Sequence, residues 1–277
     1  MERITSRHNA IVKRFRELAR AAPAADGGDV LLDGAHLVDE ALACAVPIEI
    51  AAFSDRQIDD GHSPLARTAE NLRAAGARVL AVSEDVLAAM SPVQQPSGVV
   101  AIARLQPSEL PAVFAMPRAR SATQLVLVLA GLQDPGNVGA IIRSAAAFAA
   151  SGVVAVDGSA HPFGWKALRG AMGGTFRLPI AARGSLAGVV SAARGAGVRI
   201  MAAVPRGGTP LPELDLRRPV AIVLGGEGPG VDQDALAASD DLLTIPMCDP
   251  VESLNVAIAA ALILYEAARQ RGENSRQ

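Results

Sequence analysis

Hydrophobic and polar residues alternate in blocks along the first hundred positions, and the blocks predict strands and helices in turn. Strands that alternate with helices are typical of an α/β domain. The predicted elements are strands over 30–32, 48–53, 78–82 and 99–103, helices over 35–45 and 64–75, and a short helix capped by Ser83. Ahead of them, Ile11, Phe15 and Leu18 share one face of an amphipathic helix whose outer side is basic.

The alternation stops over 105–123, a stretch with three prolines, and resumes in the second half. The stretch over 125–130 is apolar throughout, as expected of a strand covered on both faces. Further strands are predicted over 153–156, 198–203, 219–224 and 242–245, and helices over 137–150, 166–172, 186–196 and 251–271. We therefore expect a small domain over 1–104, a linker over 105–123 and a second domain over 124–277.

Composition excludes several classes of protein. Half of the residues are hydrophobic, which excludes global disorder, yet the longest apolar stretches are shorter than the ~20 residues of a membrane span. The first 20 residues are charged and lack the apolar region of a signal peptide. Cys44 and Cys248 cannot form a disulfide framework or a four-ligand zinc site alone. We expect a cytoplasmic protein with no metal.

Three segments of the second half combine strand ends with polar loops. Over 129–148 a buried strand runs into Gly131 and then Asn137, the expected N-cap of a helix that carries Arg143. Over 222–231 a strand enters a turn with four glycines and Glu227. Glycine spacing there does not fit the dinucleotide fingerprint, which argues against a nicotinamide or flavin site.

The third segment, over 242–267, is a strand, an irregular loop and a helix whose start carries Ser253 and Asn255. Each segment alone has a plain structural explanation, as turn glycines or helix caps. Together and in this order, the three resemble the signature motifs of the SpoU (TrmH-type) RNA ribose 2′-O-methyltransferases of the SPOUT superfamily. The first half, with ITSRHNAIVKRFREL and LLDGAHLVDEAL, is similar to the substrate-binding domain of ribosomal-RNA members.

This resemblance implies an α/β fold in which a trefoil-knotted parallel-sheet catalytic domain follows a small α/β substrate-binding domain. It also implies a homodimer. S-adenosylmethionine is expected between the second and third segments, held largely by backbone groups. By position, the pocket would be lined by Leu224, Gly225, Ile245, Met247 and Leu254.

The reaction that the resemblance implies is methyl transfer to a ribose 2′-hydroxyl, a weak nucleophile that needs positioning and help in losing its proton. Arg143 is a poor base because a guanidinium has a pKa above ~12. We expect it to hold the target phosphate and orient the hydroxyl, with Asn137 placing Arg143 or the ribose. Glu227 would anchor its loop or orient the arginine, and Ser253 and Asn255 would fix the ribose or the third loop. The segment over 167–180 also resembles the family but has Ala171 where members usually have Ser, so that hydroxyl is lacking.

Charge is distributed unevenly in a chain of net charge −2. No acidic residue occurs between Asp157 and Glu213, whereas seven basic residues do. Phosphate binding needs only local positive charge. We therefore predict an RNA-facing stripe built from this interval and the N-terminal helix, consisting of Arg7, Lys13, Arg14, Lys166, Arg169 and Arg177.

The preceding domain favours ribosomal RNA, most of all 23S rRNA, over tRNA. About six residues follow Arg271, so we expect no long C-terminal extension of the kind seen in tRNA members. Three alternatives stay open at this point: a tRNA 2′-O-methyltransferase, a catalytically silent RNA-binding protein on the same fold, and a small-molecule methyltransferase.

Overall fold

Two β-sheets organise the chain. The computed structural model describes residues 1–24, 26–60, 63–115, 123–228 and 230–272. Its contacts divide into two units, Met1–Gln106 with Phe163–Phe176, and Pro107–Pro162 with Arg177–Gln277. The α/β fold class is as expected, whereas the domain bounds 1–104, 105–123 and 124–277, and the knot, stay predictions.

The first half of the sequence forms short strands and helices close to the predicted ones. Its elements are β1 (Glu2–Ile4), α1 (Ala10–Arg20), β2 (Gly28–Asp33), α2 (Ala35–Ala43), β3 (Ile48–Ser54), α3 (Asp55–Asp59), α4 (Pro64–Ala74), β4 (Arg78–Val82), α5 (Glu84–Met90) and β5 (Val99–Leu105). The strands lie in the order β1-β4-β3-β5-β2, with β5 antiparallel to both of its neighbours. The predicted apolar face of α1 is confirmed, because Phe15 is fully buried and Ile11 and Leu18 pack against the same core.

The second half of the sequence alternates in the same way. Its elements are α6 (Leu110–Val113), β6 (Leu125–Ala130), α7 (Pro135–Ala147), β7 (Gly152–Val156), α8 (Trp165–Ala171), β8 (Ile180–Gly184), α9 (Leu186–Gly195), β9 (Arg199–Ala203), β10 (Thr209–Pro210), β11 (Val220–Gly225), α10 (Gln233–Ala238), β12 (Asp241–Thr244) and α11 (Val256–Gln270). The sheet has the order β10-β12-β9-β11-β6-β7-β8. Each pairing recorded within it is parallel, as predicted.

The segment 163–176 comes from the second half but packs within the first unit. Trp165 of α8 lies against the core that holds Phe15 and Leu31. Arg169 donates a hydrogen bond to the buried carboxylate of Asp33 at 2.9 Å, and Ser91 donates to the same carboxylate at 2.6 Å. A buried carboxylate is stable only when it is paired and hydrogen-bonded, so Arg169 helps to hold α8 against β2.

Two helix starts differ from the sequence prediction. Asn137 is not an N-cap: α7 begins at Pro135, and Asp134 caps it by accepting a hydrogen bond from the N–H of Gly136 at 2.9 Å. Aspartate is as good a cap as asparagine, and proline is favoured at the first helical position. The last helix begins at Val256 rather than at 251, because Asn255 caps it.

The remaining differences concern very short elements. The strands β1, β8 and β10 and the helices α3 and α10 were not predicted, and the stretch expected to be a linker contains α6. Part of that predicted linker, residues 116–122, lies outside the described residues. A search of the described residues found neither a helix long and apolar enough to cross a membrane nor a cluster of metal-ligating side chains.

Candidate active site

The candidate site lies at the carboxyl edge of the second sheet. Because β6, β9, β11 and β12 run parallel, the loops that follow them leave the sheet at one edge, the usual place for a ligand in a parallel sheet. The register places Gly225 beside Ala130 and Leu243 beside Ala203. The three segments singled out by sequence therefore end at the same place.

Glycines allow two of these loops to touch. A Cβ on Gly226 would overlap the carbonyl oxygen of Gly131, which belongs to the loop after β6. A Cβ on Gly225 would overlap the backbone of Gly230 and Val231. The turn between them closes through a hydrogen bond from the N–H of Gly230 to the oxygen of Gly226 at 3.1 Å. Only residues without a side chain permit this approach of one backbone to another.

A pocket of about 470 Å³ opens between these loops. Its walls come from the ends of β9, β11 and β12, from the loop after β12 and from the first turn of α11. All five residues predicted to hold a cofactor line it, namely Leu224, Gly225, Ile245, Met247 and Leu254. Their role in binding stays a prediction, but the structure places them together.

Sequence reasoning missed one wall of this pocket. Ala203, Val204 and Pro205, which follow β9, also line it. They carry no motif, and they reach the pocket because β9 lies between β11 and β12 in the sheet. Only the strand order could have identified them, and a single sequence does not give strand order.

Three of the predicted catalytic side chains form one hydrogen-bonded chain. Asn137 donates from its side-chain amide to the carboxylate of Glu227. Asn255 donates to the amide oxygen of Asn137 at 3.1 Å, while its own oxygen accepts from the N–H of Ala257 at 2.9 Å. One residue from each of the three segments is thereby fixed against the others.

Ser253 and Arg143 do not take part in this series of hydrogen bonds. Ser253 lines the pocket and is exposed. Arg143 is exposed on α7 and does not line the pocket. In the part of the chain that the structure describes, Arg143 makes no hydrogen bond or ion pair, so its guanidinium is available to an external group. Asn137 and Arg143 are six residues apart on a helix, about 240° around its axis, and do not touch here.

Comparison with known proteins identifies the family of the chain. Residues 124–265 match the SpoU rRNA Methylase family, and residues 9–101 match the MRM3-like substrate binding domain. The chain belongs to the SpoU rRNA methylase family.

Relatives of this SpoU-family chain match it along nearly its whole length. An uncharacterized tRNA/rRNA methyltransferase of Synechocystis is 35% identical over 97% of this chain and 94% of the relative. The 23S rRNA (guanosine(2553)-2′-O)-methyltransferase RlmP of Bacillus subtilis is 31% identical over 96% and 98%. The crystal structure of an AdoMet-bound rRNA methyltransferase from Sinorhizobium meliloti is 29% identical, covers 97% of both chains and has a TM-score of 0.81.

The three N-terminal residues of the predicted stripe, of which Arg7 precedes α1 and the other two lie on it, face carboxylates. Arg7 lies 3.3 Å from Asp85, and Lys13 lies 3.7 Å from Glu17. Arg14 donates to Glu49 at 2.6 Å and to Asp29 at 2.5 Å. These hydrogen bonds raise the pKa of Arg14 and lower the pKa of both carboxyl groups. Their contact with RNA stays a prediction, and Arg14 would have to leave strong partners to make it.

The other predicted RNA-binding residues differ in their surroundings. Lys166 is exposed, with its ammonium 5.4 Å from the centre of the Trp165 ring. Arg169 forms an ion pair with Asp33, and Arg177 is exposed in the second unit. The sequence between Asp157 and Glu213 has no acidic residue of its own, but acidic residues from other parts of the chain lie beside it. Arg206, for example, lies 3.2 Å from Asp249. Lys166 is therefore the member of the predicted stripe that we expect to contribute most.

Gly225→Ala tests whether close backbone approach builds this site. We expect the variant to lose about 1–3 kcal/mol of stability, because the added methyl group overlaps backbone that cannot move aside. Thermal unfolding measures the loss as a lower Tm. Gly195→Ala, at the end of α9 with nothing within 4 Å of the added carbon, is the matched control and should leave Tm unchanged or slightly higher. Equal Tm values for both variants and the wild type would contradict the account.

Proposed function

We propose that this protein transfers a methyl group from S-adenosylmethionine to a ribose 2′-hydroxyl of ribosomal RNA, within 23S rRNA. The meeting of the three family segments at one pocket is the observation that carries the proposal. Among the relatives, the 23S rRNA 2′-O-methyltransferase of Bacillus subtilis supports the proposal, because the match covers nearly the whole of that protein and of this one. A substrate-binding domain ahead of the catalytic part favours ribosomal RNA over tRNA.

The pocket has the size and chemistry that S-adenosylmethionine needs. Its volume falls within the range of about 300–1,000 Å³ typical of small-molecule sites. Leucine, isoleucine and methionine side chains can enclose an adenine ring, while the backbone of the glycine turn can approach closely and hydrogen-bond its edge. The Sinorhizobium structure, which contains AdoMet, has the same fold over nearly the full length.

When bound, S-adenosylmethionine supplies a methyl group on a positively charged sulfur. The chain's own residues then have to hold the ribose and let the hydroxyl proton leave. Arg143 binds the phosphate next to the target ribose and orients the hydroxyl, because it is exposed and has no competing carboxylate among the described residues. Its guanidinium keeps its proton, so the hydroxyl proton passes to phosphate or water.

The hydrogen-bonded chain of Asn137, Glu227 and Asn255 has a positioning role. It joins the loop after β11 to the starts of α7 and α11. Those are the elements that carry Arg143 and part of the pocket wall. Holding them in register keeps the phosphate-binding group and the methyl donor at a constant separation, which is what a transfer reaction requires.

We further propose that the protein is a homodimer formed through the catalytic domain. Ile258, Leu262 and Tyr265 are exposed at a spacing that places them along one side of α11. Tyr265 also packs edge-on against Phe148, with ring centres 6.0 Å apart. An apolar helix side of this kind marks an interaction surface. Since α11 also supplies Val256 and Ala259 to the pocket wall, a second copy seated there would lie beside the pocket.

Arg143→Lys tests the proposed activity. Transfer of labelled methyl groups from S-adenosylmethionine to ribosomal RNA should fall at least about 100-fold, because lysine cannot reproduce the paired donors of a guanidinium. S-adenosylmethionine should still raise the Tm of the variant. Arg194→Lys, an exposed arginine on α9 with no recorded partner in the described residues, is the matched control and should stay active. Wild-type protein that binds RNA without methylating it would contradict the proposal.

Leu262→Asp tests the dimer. Light scattering after size-exclusion chromatography should give the wild type about twice the chain mass of 28.4 kDa and the variant a single chain mass. The cause is a charge placed where an apolar surface has to be buried. Leu262→Met keeps the apolar surface and should remain dimeric. A monomeric wild type, or a dimeric Leu262→Asp, would show that this side of α11 is not the interface.

A further inference from the structure

The first unit contains a second pocket, and none of its lining residues belongs to the three family segments. It has a volume of about 300 Å³ and lies beside the end of α1, the start of β2 and the start of α8. The residues that give it its chemistry are Leu18, Asp29, Leu31, Arg104, Phe163 and Trp165. They combine an apolar floor, two aromatic side chains and one pair of opposite charges.

Trp165 gives the pocket an aromatic wall. The ring is only partly buried, although it packs against the core that contains Phe15 and Leu31. The ammonium of Lys166 lies 5.4 Å from the ring centre, close enough for a cation–π interaction. Because the ring is partly exposed and lines the pocket, it offers an aromatic surface on which a planar ring could stack once the flexible lysine side chain moves aside.

Asp29 and Arg104 supply the polar groups. The carboxylate of Asp29 accepts from Arg14 at 2.5 Å and from Arg104 at 3.3 Å. The hydrogen bond from Arg14 lowers the pKa of Asp29, so the carboxylate is charged at neutral pH. Among the described residues, Arg104 is held only by the longer bond, and 65% of its side chain is exposed. Its guanidinium can therefore turn towards a ligand while Arg14 keeps Asp29 in place.

We propose that this pocket binds one unpaired nucleobase of the RNA substrate, stacked on Trp165. The pocket is large enough for a base, and single-stranded bases are recognised in proteins by aromatic and guanidinium surfaces. The carboxylate of Asp29 has lone pairs for the N–H groups of a base edge. Arg104 and Lys166 place positive charge beside the phosphates that accompany the base. This inference rests on the proposed function, since it assumes an RNA substrate.

The sequence provides an unusually direct probe, because Trp165 is the only tryptophan. Stacking of a base on the indole ring should quench its fluorescence. The full-length protein is titrated with a ribosomal RNA fragment that it methylates, and the tryptophan emission is recorded at each addition. Parallel titrations with the four nucleoside monophosphates distinguish a free nucleotide from a base within RNA. We expect RNA to quench the emission at concentrations at which the monophosphates have little effect.

Substitutions then measure the contribution of the pocket to binding. Trp165→Ala should raise the dissociation constant for RNA by about 5- to 150-fold, the effect of losing one stacked base. Trp165→Phe keeps an aromatic surface and should recover most of the affinity, which separates stacking from a folding defect. Arg104→Ala should also weaken binding. Arg67→Ala removes another exposed arginine of the first unit and should have little effect.

The possible outcomes separate this inference from the proposed function. Normal methylation with unquenched tryptophan, and with wild-type affinity in Trp165→Ala, would overturn the base pocket and leave the activity standing. Quenching by free monophosphates as strong as by RNA would overturn the RNA assignment in favour of a nucleotide site. Failure of the wild type to bind RNA at all would overturn both proposals.

Discussion

The catalytic half of this protein depends on the close approach of backbone to backbone at the carboxyl edge of a parallel sheet. Gly226 lets the loop after β11 touch the loop after β6, and Gly225 lets that loop fold back on Val231. Once the loops are this close, Asn137 and Glu227 can hydrogen-bond, and Asn255 can join them. The hydrogen bonds among these three side chains therefore depend on a close backbone approach that a side chain at either glycine would prevent.

Ion pairs reduce the positive charge that this nearly neutral chain can offer to RNA. Carboxylates occupy several arginines that look unpaired in the sequence, with Arg14 and Arg169 as the clearest cases. Arg143 and Lys166 are among the exposed cations that pair with no carboxylate of the described residues, and we expect both to face RNA.

Much of the fold follows from local pattern, and much of the site does not. The sequence alone predicts β6 and the polar loop after it, because a strand covered on both faces is apolar throughout. The prediction that Asn137 caps α7 is wrong, because Asp134 and Pro135, which come before it, are equally suited to begin a helix. The wall formed by Val204, and the pocket around Trp165, depend on strand order and on a segment that returns to the first unit. Neither is encoded in the spacing of nearby residues.

Mapping ribose methylation across all ribosomal and transfer RNAs, in cells with and without the gene, tests the central claim most directly. The account predicts that deletion removes 2′-O-methylation from 23S rRNA at a defined nucleotide and that the wild-type gene restores it. Loss confined to tRNA would contradict the ribosomal substrate. An unchanged pattern of ribose methylation in every RNA would contradict the assignment of this pocket to ribose methylation.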